Sequence, residues 1–136
     1  MYEVKVNYVR QTGEDNPGTV KETYLVDGVT PGDAQNLLLE EIKPFIFGDC
    51  ELPSVRNRKF FEIIETGNGT DLWEGKIEQI VTEDSGAEKR RPCTFLIKAN
   101  DISDALSVLK DATKGYDCNI LAVKKSQIID IIHGVK

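Results

Sequence analysis

Apolar and polar side chains alternate in the first part of the chain. Residues 2–8 place Tyr or Val at every second position, and residues 20–26 alternate in the same way. A period of two is typical of a strand that buries one face. The stretch between them, residues 11–18, is polar and rich in Gly, Pro, Asn and Asp. The pattern therefore predicts two strands joined by a hairpin loop over residues 11–18.

A helix is predicted after this hairpin. Thr30 is a suitable N-cap, Pro31 fits the first helical position, and Asp33 favours the positive N-terminal end of a helix. Apolar residues then recur at spacings of three and four, which predicts one stripe that packs against a sheet. Pro44 and Gly48 indicate where the helix ends. The stripe consists of Ala34, Leu37, Leu38, Ile42 and Phe45.

The same order of elements is predicted a second time. Residues 48–57 contain several breakers and are interpreted as a linker, after which residues 60–65 form a strand. Asp101 and Asp104 repeat the capping pattern of the first helix. The remaining predictions are strands over 73–81 and 93–99, a polar hairpin loop over 83–91, a helix over 102–112, and strands over 120–123 and 128–132.

The two halves superpose without a gap at an offset of 71 positions. Asp33 then aligns with Asp104, and the alignment continues without a gap through two predicted strands, a loop and a helix. We interpret this as a duplication within a single domain, 1–136, with pseudo-repeats at 1–66 and 71–132.

The fold class follows from this duplication. A strand hairpin and one helix cannot enclose a core alone, because two apolar faces must meet. We therefore expect an α+β protein of two tandem β-β-α-β halves. The halves form one mostly antiparallel sheet, or two small sheets, packed by two helices.

Length, charge and composition exclude several classes of protein. A chain of 136 residues suits one domain, and 40% hydrophobic with 29% charged residues is ordinary for a globular protein. Intrinsic disorder, a fibrous repeat and an apolar run of about 18 residues are excluded. The formal net charge of −6 argues against a general nucleic-acid coat, which is normally basic.

The cysteines and the first residues predict a cytoplasmic protein. Cys50, Cys93 and Cys118 are odd in number and far apart, unlike a disulfide scaffold or a zinc site. The first residues lack the basic and apolar segments of a signal peptide. We expect free thiols in a reducing cytoplasm, no membrane association, no metal and no cofactor.

Acidic residues are the only candidates for acid–base chemistry. Glu62 and Glu65 lie in the predicted third strand, and Glu74 and Glu78 share one face of the next strand with Lys76. We interpret this face as solvated and paired in charge across strands. A small enzyme that uses these carboxylates is the alternative, but no residue is assigned as catalytic.

Two basic clusters are the candidate ligand-binding residues. The guanidinium group recognises phosphate and carboxylate, and Trp73 offers a surface for stacking. If the fold brings the clusters together, they form a site for a nucleotide, a nucleic-acid backbone or an acidic protein. The alternative is that these charges keep loops and strand edges soluble. The clusters consist of Arg56, Arg58 and Lys59, and of Lys89, Arg90 and Arg91.

Several short segments resemble a known family. They are residues 24–27, 44–46, 61–63, 71–73, 83–90 and 99–101, with Ala105. On these segments the chain is similar to the domain-of-unknown-function family numbered four-four-nine-four, which is found in Bacteroidetes and their phages and has no assigned activity. The resemblance implies a compact cytoplasmic protein and transfers no site residue. Residues 130–132 fit the usual end of the family, whereas residues 133–136 depart from it.

Three functions are consistent with these observations. The first is a small non-enzymatic binding or interaction module, whose partner is another protein or a second copy of the chain. The second is a phosphate-ligand binder that holds a nucleotide signal or a nucleic-acid backbone, as a phage-encoded counter-defence or replication accessory protein would. The third is the carboxylate-based enzyme. All three place the protein in the bacterial cytoplasm, either as a host protein or as a phage-encoded one.

Overall fold

A computed structural model describes residues 1–10, 18–65 and 69–134 of the chain. The predicted loop over residues 11–18 falls almost entirely outside these ranges. The described chain forms two compact units, residues 1–58 with 127–136 and residues 59–126. The elements in chain order are β1 (Tyr2–Arg10), β2 (Gly18–Val26), α1 (Pro31–Ile42), a 3-10 turn (Lys43–Phe45), β3 (Ile46–Asn57), β4 (Glu62–Ile64), β5 (Asp71–Thr82), β6 (Glu88–Ala99), α2 (Ile102–Ala112), β7 (Cys118–Lys125) and β8 (Ile128–Ile132).

The first unit is a four-stranded sheet that packs against α1. The strand order is β3-β1-β2-β8, in which β8 runs parallel to β2 and the other pairs are antiparallel. The Thr30 side chain accepts a hydrogen bond from the Asp33 amide at 3.1 Å, so the predicted N-cap is confirmed. One hydrophobic cluster fills the space between sheet and helix. It contains Val4, Val6, Tyr8, Val26, Ala34, Leu38, Ile42 and Ile132.

The second unit has the same plan. Its strand order is β4-β6-β5-β7, in which β4 runs parallel to β6 and the other pairs are antiparallel. The Asp101 side chain accepts from the Asp104 amide at 2.8 Å and caps α2 as predicted. This unit has a hydrophobic cluster of its own. It contains Ile77, Phe95, Ile97, Ala99, Ala105 and Leu109.

Each sheet is completed by a strand that follows the other half of the chain. In the first sheet Ile131 pairs with Leu25, and in the second Ile63 pairs with Leu96. Leu25 and Leu96 are 71 positions apart and Ile63 and Ile131 are 68 apart. The two outer strands therefore have the same register over these positions, although the pairing of β8 with β2 also shifts register between Thr23 and Tyr24. The α+β class and the tandem halves are confirmed, and the arrangement is two small sheets. A hairpin and one helix enclose a core here because a third and a fourth strand widen each sheet.

The predicted linker over residues 48–57 is wrong, because these residues lie in β3. The pairing of β3 with β1 shifts register between Lys5 and Asn7, which places Pro53 within an irregularity. Gly48 has a φ of +84°, a conformation that glycine adopts without strain. Breakers are compatible with an edge strand that contains bulges, since a bulge leaves backbone N–H groups unpaired.

The predicted loop over residues 83–91 is shorter than expected. The β5–β6 pairing extends to Thr82 and Glu88, and the turn is closed by the Glu83 amide, which donates to the Ala87 carbonyl at 2.8 Å. Lys89, Arg90 and Arg91 therefore lie in a strand. Polar residues continue the ladder because the end of this long hairpin is exposed on both faces.

Two further observations concern the whole described chain. The thiols of Cys50, Cys93 and Cys118 are free and partly buried. Neither of the two described helices is long and apolar enough to cross a membrane.

Gly75 in the centre of β5 tests the packing of the second unit. A Cβ atom at this position would lie 2.7 Å from Leu109 Cδ2, and Leu109 is fully buried in the core. We expect Gly75→Val to lower the free energy of unfolding by about 2 kcal/mol, because overpacking forces side chains and backbone to move. Urea denaturation of the full chain measures this change.

The control for this prediction is Lys76→Val, which introduces the same side chain on the exposed neighbour. We expect it to change the free energy of unfolding by less than about 0.5 kcal/mol. Equal effects of the two substitutions would contradict the packing described for Gly75.

Candidate functional site

Two of the candidate cations bind one buried carboxylate in the first unit. Arg58 Nη1 donates to Glu3 Oε2 at 2.6 Å. Arg56 Nη2 donates to both carboxylate oxygens of Glu3, at 3.0 and 3.1 Å. Glu3 is only 3% exposed. Arg56 and Arg58 thus neutralise an internal acid, and both have a structural role in holding the end of β3 to β1.

The Glu3 carboxyl is held in its ionised form. Burial by itself raises the pKa of Glu3, but the hydrogen bonds and positive charges of Arg58 and Arg56 outweigh burial and leave the pKa below its ordinary value. Hydrogen bonds to an ionised group are roughly twice as strong as those between neutral groups. The interaction therefore stabilises the folded state at neutral pH.

The second unit has a related contact at the equivalent place. Glu74 corresponds to Glu3 at the offset of 71, and its Oε2 accepts from Ser126 Oγ at 2.6 Å. Ser126 corresponds to Arg58 at the offset of 68. The Arg58 amide donates to the Met1 carbonyl and the Ser126 amide to the Leu72 carbonyl, both at 2.9 Å, and Met1 and Leu72 are again 71 positions apart. In each unit, a glutamate on β1 or β5 binds the last residue before the chain passes to the other unit.

The second basic cluster is also engaged by acids. Arg90 Nη1 donates to Glu78 Oε1 at 2.8 Å, and Lys89 Nζ lies 2.7 Å from Glu83 Oε1. Both cations are largely exposed, so each pair contributes little to stability. Arg91 is exposed and forms no ion pair among the described residues.

Lys59 and Trp73, the other two candidate residues, have different surroundings. Lys59 is exposed at the start of the second unit and forms no ion pair within the described ranges. Trp73 is partly buried against the second hydrophobic cluster, and its Nε1 donates to the Ala99 carbonyl at 3.2 Å. Arg56 and Arg58 belong to the first unit, whereas the other four cations belong to the second.

On the acidic face of β5, Glu78 is paired in charge across strands. Glu78 Oε1 accepts from Arg90 and also from Asn119 Nδ2 at 3.1 Å. Glu74 lies opposite Lys124 in the pairing with β7. Within the described part of the chain, no group of three His, Cys, Asp or Glu side chains is placed to hold a metal ion.

An aromatic cluster at the surface of the second unit was not identified from the sequence. The Phe61 ring lies 5.2 Å from the Phe95 ring and 5.8 Å from the Tyr116 ring, the latter in an edge-to-face geometry. Phe95 is fully buried, but Phe61 and Tyr116 are 46% and 43% exposed. The cluster therefore presents two large apolar side chains to solvent.

The first unit exposes apolar side chains at the equivalent positions. Phe45 corresponds to Tyr116 at the offset of 71, and Ile129 corresponds to Phe61 at the offset of 68. Both are 47% exposed. We refer to Phe61 with Tyr116, and Ile129 with Phe45, as the two exposed apolar pairs. The correspondence of Phe45 with Tyr116 can be found from the sequence offset alone. The correspondence of Ile129 with Phe61 requires the observed pairing of β4 and β8.

A polar cluster distinguishes the first unit from the second. The Tyr8 and Tyr24 hydroxyls both donate to Glu22 Oε1, Tyr24 at 3.2 Å. Burial, followed by the negative charge of Glu22, raises the pKa of Tyr24 above its ordinary value. The phenol is thus a hydrogen-bond donor throughout the physiological range. At the positions 71 residues later, the second unit has Gln79, Cys93 and Phe95 in place of the two tyrosines and the glutamate.

Replacing Glu3 tests the buried ion cluster. We expect Glu3→Gln to lower the free energy of unfolding by about 2 kcal/mol at pH 7, because two arginines lose their charged acceptor. A lowered pKa stabilises the folded state above the pKa of the unfolded chain, about 4.3, and this contribution is lost as pH falls through the folded value. Urea denaturation between pH 7 and pH 3 should therefore show the two proteins converging at acid pH.

Glu51→Gln is the matched control, since Glu51 is an exposed glutamate of β3. It should leave the stability and its pH dependence within about 0.5 kcal/mol of the wild type. If the difference between Glu3→Gln and wild type grew as the pH fell, the direction of the Glu3 pKa shift would be refuted.

Comparison with known proteins gives the family and nothing more specific. A search of curated proteins and a search of solved structures found no match. A protein-family model described as Domain of unknown function (DUF4494) matches residues 1–134. This covers all but the last two residues of the chain and confirms the resemblance of its short segments. The chain therefore belongs to the DUF4494 family.

Proposed function

We propose that the protein is a non-enzymatic binding module of the cytoplasm that contacts a protein partner through its exposed apolar pairs. The observation that carries this proposal is that both units expose apolar residues at the same two positions, Phe61 with Tyr116 and Ile129 with Phe45. Aromatic residues are enriched in the buried centre of protein interfaces and dominate their binding energy.

Comparison of the two units supports this proposal. The units differ at positions that line their cores. Tyr8 and Glu22 of the first unit correspond in sequence to Gln79 and Cys93 of the second. The exposed positions instead remain apolar in both. Apolar residues scattered singly on a surface need no explanation, whereas grouped ones mark interaction sites. The recurrence of exposed apolar residues at both positions, with the Phe61 and Tyr116 rings in contact, therefore supports a role in binding.

The other two functions receive less support from the side-chain contacts. A phosphate ligand would compete with Glu3 for Arg56 and Arg58, and with Glu78 and Glu83 for Arg90 and Lys89. A carboxylate-based enzyme needs an acid that is available to a substrate. Glu74 and Glu78 instead accept hydrogen bonds from Ser126, Arg90 and Asn119.

The test replaces one exposed apolar pair. The full chain is immobilised and exposed to an extract of the source cells, and the proteins retained are quantified by mass spectrometry. We expect the double variant Phe61→Ser, Tyr116→Ser to reduce the retention of the specific partner by about tenfold or more, because loss of an interface hot spot costs about 2 kcal/mol. Unlabelled wild-type chain in solution should compete for the same partner.

Val29→Ser is the matched control, since Val29 is 87% exposed and belongs to neither pair. It should retain the partner as well as the wild type does. Circular dichroism establishes that the double variant is folded. Retention that is equal for all three proteins would refute the apolar pair as the binding surface. Excess absorbance near 260 nm in the purified protein, lost in Arg91→Ala, would instead favour a phosphate ligand.

A further inference from the structure

β8 completes a sheet whose other strands lie far away along the chain. Its residues follow the second unit directly, yet they pair with Thr23–Val26 of β2 in the first unit. Ile128, Ile131 and Ile132 are buried, and Ile132 belongs to the hydrophobic cluster with Val26 and Ala34. The Asp27 amide also donates to the Ile132 carbonyl at 2.8 Å. The first unit is therefore incomplete without this strand.

The contacts of β8 with the first unit are the same whichever copy of the chain supplies the strand. They include the parallel backbone pairing with β2 and the burial of Ile132 in the first hydrophobic cluster. The two halves of one chain already exchange their outer strands in this way, since β4 pairs with β6 in the same register. The exchange therefore requires no contact that is not already present.

The connection to β8 is very short. Ser126 is held in the second unit by the Leu72 carbonyl and by Glu74, at 2.9 and 2.6 Å. Ile128 is already paired with Thr23 in the first unit. Gln127, which is exposed, is the single residue between these two fixed points. A connection this short favours exchange of an element between copies when closing it within one chain strains the backbone.

We propose that two copies of this protein form a dimer by exchanging β8, each copy completing the first-unit sheet of the other. β8 pairs with β2 in the same way in the monomer and in the exchanged dimer, so the balance between the two depends on the connection at Gln127 and on protein concentration. This proposal does not rest on the exposed apolar pairs. It assigns a second copy of the chain as the partner that the edge of β2 accepts.

The test is refolding at two concentrations. Unlabelled and ¹⁵N-labelled full chains are mixed, unfolded in guanidinium with reductant, and refolded at about 1 µM and about 1 mM, below and near the effective concentration of a short tether. Light scattering and native mass spectrometry measure the species. We expect monomer at the low concentration, and dimers of mixed mass at the high one that do not form when folded proteins are mixed.

Two hinge variants make the test specific. Inserting Gly-Ser-Gly between Gln127 and Ile128 should lower the dimer fraction about tenfold, because a longer connection lets β8 fold back. Deleting Gln127 should raise it at the low concentration. The same insertion between Ser85 and Gly86, in the turn between β5 and β6, is the control and should leave the dimer fraction unchanged.

Three results would overturn the proposal. The first is a wild-type chain that remains monomeric after refolding at about 1 mM. The second is a dimer fraction that the hinge insertion does not change. The third is a dimer lost in the Phe61→Ser, Tyr116→Ser variant but retained in the hinge variant, which would assign self-association to an exposed apolar pair. If the deletion variant does not fold, the insertion variant still decides the outcome.

Discussion

Parallel pairing of one outer strand with each hairpin is the constraint on which this fold depends. Without β8 the first sheet would end at β2, and without β4 the second would end at β6. In both sheets the outer strand is supplied by residues that follow the other half, and it pairs in the same register. Duplication of one repeat within a single chain would be sufficient to produce this arrangement, because each repeat would have an outer strand and a sheet edge with which an outer strand can pair.

Glu3 on β1 and Glu74 on β5 show how the two units differ around this constraint. Glu3 and Glu74 occupy equivalent positions and both hold the residue where the chain leaves its unit. In the first unit two arginines bind the Glu3 carboxylate, whereas in the second unit the Ser126 hydroxyl donates to Glu74. The charged version is the stronger. The contact at Arg58 is thus an ion pair and the contact at Ser126 a hydrogen bond from a hydroxyl, although both backbone amides donate at 2.9 Å.

Much of this fold was predictable from the sequence, and the errors have physical causes. Helix caps at Thr30 and Asp101 depend on local hydrogen bonds, which short motifs specify. The linker assigned to residues 48–57 was an error because a bulged edge strand contains the same breakers as a loop. The pairing of β8 with β2 and of β4 with β6 was not predictable, since the periodicity of a strand does not indicate which sheet edge it joins. The ion pairs of the basic clusters depend on the same pairing, because Arg58 and Glu3 meet only once β3 lies beside β1.

The position of β8 along the chain has a consequence for folding during synthesis. The edge of β2 exists once residue 26 has been made, but the strand that covers it is made about 100 residues later. The first unit therefore cannot reach its final form until the second unit has left the ribosome, and its apolar edge stays open to other nascent chains in the interval. Contacts between residues so far apart in sequence also slow folding, since a long loop must close before they form.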